Sequence, residues 1–131
     1  PLTLSGATTG SLDVGKDVDE AEMNLSGATK LNLTGNFNQL DIEASSAVNL
    51  KMAGSVRELD LMATGAAKAD LGDIPADQVE LSLSGAAKAE LYVLKTLEAT
   101  LSGASTCNYK AGPDFRLTKQ SVSRGASLKR L

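Results

Sequence analysis

The sequence of 131 residues contains no His and no Trp, a single Cys and only 3% aromatic residues. Without His there is no Ser-His-Asp or Cys-His catalytic set, no imidazole base and no imidazole metal ligand. One Cys forms neither an internal disulfide nor a cysteine-rich zinc site. With so few rings the core has to be aliphatic, and the 42% of apolar residues suffice for one. No apolar run approaches the roughly 20 residues of a membrane-spanning helix. The net charge of −3 gives no basic footprint for nucleic acid. The length fits one domain, with a buried fraction of roughly two-thirds.

What the chain has is repetition. Leu4-Ser5-Gly6-Ala7-Thr8 recurs as Leu25-Ser26-Gly27-Ala28-Thr29. Close variants are Leu83-Ser84-Gly85-Ala86-Ala87 and Leu101-Ser102-Gly103-Ala104-Ser105, with looser copies around Ala47, Ala66 and Ala126. The marker alanines Ala7, Ala28, Ala47, Ala66, Ala86, Ala104 and Ala126 stand 21, 19, 19, 20, 18 and 22 residues apart. Within a repeat the pattern alternates. Leu40, Ile42 and Ala44 enclose Asp41 and Glu43, and Val79, Leu81 and Leu83 enclose Glu80 and Ser82. A period of two marks strands with one buried face, whereas a helix would place apolar residues three and four apart.

Six of the seven markers follow a Gly, which adopts positive φ without a side-chain clash and suits a sharp corner. A second corner varies: Gly15-Lys16-Asp17, Gly35-Asn36, Gly54-Ser55, Gly72-Asp73-Ile74-Pro75 and Gly112-Pro113-Asp114. These turn residues absorb the differences in repeat length. A leucine-rich repeat has a similar period but needs a helical segment and an Asn or Cys position, which this pattern lacks. The pattern therefore predicts an all-β chain folded as a single right-handed parallel β-helix, a β-solenoid of about seven short coils over residues 1–131.

The iterated Leu-Ser-Gly-Ala motif, with its closing segment from Leu101 through Tyr109-Lys110 to Gly125-Ala126-Ser127-Leu128-Lys129, resembles the putative autotransporter adhesin, head GIN domain family of Bacteroidetes-type envelope proteins. The resemblance implies a β-helix, an exported location in the periplasm, outer membrane or cell surface, and an adhesin role. It supplies no catalytic residues. It also implies that the chain is the C-terminal part of a longer exported protein.

Six residues before the markers stand Glu22, Asp41, Asp60, Glu80 and Glu98, one outward carboxylate per coil, with Glu20 and Glu58 two residues upstream. The column reads either as a ligand- or cation-facing stripe, with Ca²⁺ as the candidate cation, or as a solvated face. No other cofactor is implied. Two residues after the markers, Lys30, Asn49, Lys68, Lys88 and Thr106 form a second outward column. It would meet anionic glycans or serve as polar padding against sheet association. Any acidic ladder contains carboxylate pairs at glycosidase spacing, but no nucleophile, base and orienting group come together, so the reading is not an enzyme. Cys107 falls in an inward column with Leu31, Leu50, Ala69 and Ala89 and reads as core. Tyr92 reads as the best exposed contact residue, and the four aromatics as too dispersed for a sugar platform.

Residues 110–131 carry six cations against Asp114, a net +5, which leaves −8 for residues 1–109. The segment reads as a capping coil. At the other end, Leu2 and Leu4 already lie in a strand pattern, which leaves an edge for self-association. The function expected is a non-enzymatic, adhesin-like envelope or secreted protein that binds a glycan or protein surface. A self-assembling envelope scaffold is the second reading, and a polysaccharide-processing enzyme the third.

Overall fold

The computed structural model describes residues 2–6, 9–113, 115–123 and 125–130. Ala7 and Thr8 of the first motif copy and the corner residue Asp114 lie outside these, as does Arg124, one of the six C-terminal cations. The described residues form nine strands and no helix: β1 (Leu2–Gly6), β2 (Thr9–Leu25), β3 (Thr29–Ala44), β4 (Val48–Ala63), β5 (Lys68–Leu83), β6 (Lys88–Leu101), β7 (Thr106–Ala111), β8 (Arg116–Val122) and β9 (Ser127–Arg130). Every pairing is parallel and joins one turn to the next, in the order β1-β2-β3-β4-β5-β6-β7-β9, while β8 also pairs with β6. The predicted β-helix is borne out, and the seven corner markers delimit about six turns.

Each turn is mostly one long bent strand rather than two short ones. In β3 the buried residues alternate through Leu31, Leu33 and Phe37, then slip phase at the adjacent exposed pair Asn38-Gln39 before resuming at Leu40, Ile42 and Ala44. In β4 the pair Arg57-Glu58 does the same. Two outward side chains in succession require the chain to bend there, so that both stretches face one interior. The turn-length differences fall near the variable corner, where the register shifts between Asp13 and Asp17 and between Leu71 and Pro75.

The interior is a stack of aliphatic columns. Ala21, Leu40, Leu59, Val79 and Leu97 succeed one another in register, as do Met23, Ile42, Leu61, Leu81 and Ala99. All are buried, and each large one contributes about 1.5–3 kcal/mol by leaving water. Cys107 sits in its expected column, fully buried, and burial pushes its thiol up to about 12. Thr29 and Ser105 are buried hydroxyls at one position of the turn. Their Oγ atoms donate to the corner carbonyls of Ser26 (2.9 Å) and Ser102 (2.8 Å), so neither is left unsatisfied.

The Ser-Gly-Ala corner stacks on itself. Gly27, Gly65, Gly85 and Gly103 have φ between 69° and 75°, and Ser46 occupies the same conformation at 67°. The amides of Ala86 and Ala104 donate to the carbonyls of Gly65 and Gly85, each at 2.8 Å. A Cβ on Gly103 would lie 2.8 Å from the Gly85 oxygen, so glycine is needed both for φ and for the close approach.

Candidate functional site

The second stretch of each turn, from the phase slip to the Ser-Gly-Ala corner, forms one flat parallel side of the solenoid. Glu22, Asp41, Asp60, Glu80 and Glu98 lie on it in unbroken register. All five are exposed. Successive turns in a parallel sheet stand about 4.8 Å apart, so the column repeats a negative charge at that interval. The backbone register then continues from Glu98 to Lys119 of β8.

The neighbouring outward column is mixed: Glu20, Gln39, Glu58, Gln78 and Thr96. Gln39 Nε2 donates to Glu58 Oε2 at 3.1 Å. Amides between carboxylates relieve repulsion in this column, a feature visible only once the columns are aligned turn by turn. The central column has no such relief. The negative charge of Asp60, followed by desolvation and by Glu98 and Asp41, holds Glu80 above the usual carboxylate range. Asp60 is raised by desolvation first, and then by Asp41 and Glu43. The two columns line a shallow groove of about 460 Å³ along the solenoid axis, its walls including Asp41, Asp60, Glu80, Glu98, Gln39 and Gln78.

Among the described residues no three carboxylate or thiol side chains converge to hold one metal ion. The carboxylates form a line, each on its own turn, rather than a cage. The only salt bridge among the described residues joins Lys95 to Asp77 (3.8 Å), a few residues upstream of the acidic stretch in β5 and β6. No ion pair to the column is found among the residues whose side chains are described.

The lysine column lies on the other side of the Ser-Gly-Ala corner. Lys30, Asn49, Lys68, Lys88 and Thr106 succeed one another in register. The next column outward is Asn32, Lys51, Asp70, Glu90 and Asn108. Together they line a groove of about 610 Å³.

Two expectations about aromatics are corrected. Tyr92, expected as an exposed contact, is half-buried, because it lies at the variable bend with Pro75 on one side and Lys110 on the other. The aromatics are also not all dispersed. The rings of Tyr109 and Phe115 are 5.4 Å apart, and the Arg130 guanidinium lies 5.7 Å from the Phe115 centroid. The chain turns between β7 and β8, where Phe115 N–H donates to the Gly112 carbonyl at 3.3 Å, and this brings Phe115 back over Tyr109. Pro113 at that turn lacks the amide that a continuous ladder would use.

Comparison with known proteins yields one family. The model described as "Putative auto-transporter adhesin, head GIN domain" matches residues 2–113. Of the closing segment cited above, the part from Leu101 through Tyr109-Lys110 lies inside that span and Gly125-Ala126-Ser127-Leu128-Lys129 lies outside it. No curated protein and no solved structure matches the chain.

Proposed function

The chain belongs to the putative auto-transporter adhesin, head GIN domain family, and from that premise we propose that it is a non-enzymatic, adhesin-like module of an exported envelope or secreted protein. Its acidic side is the surface that meets a protein or a glycan. The aligned carboxylates Glu22, Asp41, Asp60, Glu80 and Glu98 support this reading. All five are exposed, neighbouring charges in the column add to what raises Asp60 and Glu80, and no ion pair to the column is found among the residues whose side chains are described. Like charges held together cost stability, and a complementary surface returns that energy on contact. The regular spacing also suits a repeating or extended ligand, which makes one modest contact per turn.

Binding of the wild type to arrayed glycans and matrix proteins, with and without Ca²⁺, tests the proposal against the Asp41→Ala, Asp60→Ala, Glu80→Ala triple variant. The expected result is saturable binding by the wild type, lowered at least tenfold in the variant. Undiminished binding by the variant would remove the acidic side from the contact. Reducing-sugar or unsaturated-product release from any arrayed glycan would overturn the non-enzymatic reading.

A further inference from the structure

The acidic side meets, across a corner of small Ser, Gly and Ala residues, a side of opposite character. There Lys30, Lys68 and Lys88 are exposed in one column, and Lys51 stands with Asp70 and Glu90 in the next, so that four cations outnumber two carboxylates. No ion pair among the described residues joins the two sides. They are built from the same turns, so their positions repeat along the axis at the same interval of about 4.8 Å, with Asn49 and Thr106 standing where the lysine column carries no charge.

We propose that the acidic side of one copy docks on the lysine side of a second copy, so that the protein adheres to itself. This rests on the reading that the acidic side is a contact surface, and it names the partner of that side. A lysine ammonium between Asp60 and Glu80 would offset the Asp60 charge that raises Glu80. The common repeat lets the match extend over several turns. Since the two sides differ, the contact is heterologous. The pair keeps one unused acidic side and one unused lysine side, and association is open-ended.

The dimensions make each contact weak. Five turns by about six residues give a side of roughly 24 by 20 Å, less than the roughly 800 Å² per partner of stable complexes. Adhesion then comes from many such contacts between crowded surfaces.

Sedimentation equilibrium over a concentration series tests this. In about 0.01 M salt, where charges act over about 30 Å, the average mass should rise with concentration. In about 1 M salt, where they act over about 3 Å, it should return to that of the monomer. Two variants then separate the sides: Asp41→Lys, Asp60→Lys, Glu80→Lys, and Lys30→Glu, Lys68→Glu, Lys88→Glu. All six positions are exposed, and circular dichroism checks that the strands survive. Each variant alone should stay monomeric, and an equimolar mixture should associate. A wild type that stays monomeric in low salt overturns the proposal, and so does a mixture that stays monomeric. If wild-type chains bind heparin through the lysine side without self-association, that side belongs to an anionic polymer and self-docking fails. Self-docking fails while the contact surface stands if the wild type is monomeric but the alanine variant loses array binding. Both fail if array binding is also unchanged.

Discussion

Ser46 holds a left-handed backbone conformation that glycine holds in Gly27, Gly65, Gly85 and Gly103. For an L-residue other than Gly this costs roughly 1 kcal/mol. Ser46→Gly therefore stabilises the chain by up to about 1 kcal/mol, less what glycine adds to the freedom of the unfolded state. Gly103→Ala does the reverse. Its new methyl meets the Gly85 oxygen at 2.8 Å as well as the unfavourable φ, for a loss of about 1–3 kcal/mol. Urea denaturation of both variants checks the opposite signs. Equal effects of the two would mean that the corner does not discriminate between Gly and other residues.

The ladder is the element whose energetics depend on pH. Asp60 and Glu80 have folded-state values raised above their ordinary 3.8 and 4.5. The folded chain therefore takes up protons at a higher pH than the unfolded chain does. The penalty is complete above the folded-state values, falls as pH drops through them, and is gone below the ordinary ones. At pH 7, Asp60→Asn with Glu80→Gln should raise Tm by a few degrees, and the advantage should shrink toward zero near pH 3.5. Calorimetry across that range is the check, and an advantage independent of pH would refute the repulsion. The ladder itself was legible in the sequence, since a period of two and a fixed offset from the marker alanines align Glu22, Asp41, Asp60, Glu80 and Glu98. The interleaved amides Gln39 and Gln78 are as legible, since they stand eight residues before the markers Ala47 and Ala86. What alternation could not show was the bend at Asn38-Gln39, where the phase slips. Nor could it show the half-burial of Tyr92 or the return of Phe115 over Tyr109, because bulges and turns set these contacts and carry no repeat. The marker glycines gave the corners, and counting corners overstated the turns by one.

For the molecule as a whole, each turn pairs its strands only with those of adjacent turns. Stability is then close to a sum of turn and interface terms. The central strands β4 and β5 carry residues such as Leu61, Leu71 and Ile74 that are at most 1% exposed, whereas Val122, Ala126 and Leu128 near the C-terminus are only partly buried. Amide hydrogen exchange should therefore be slowest in β4 and β5 and progressively faster through β8 and β9. Uniform protection would indicate a single cooperative unit instead.

The parallel pairing of turn on turn has a mechanical side. Backbone hydrogen bonds between turns point along the solenoid axis, so tension applied at the two ends loads one interface at a time rather than shearing all of them together. A turn that peels away releases its 19-residue contour, roughly 65 Å of chain, while the remaining turns keep their register. Such a molecule yields to a pull by paying out slack in steps and can rewind when the load falls, because each freed turn finds the same template waiting on the last one still in place.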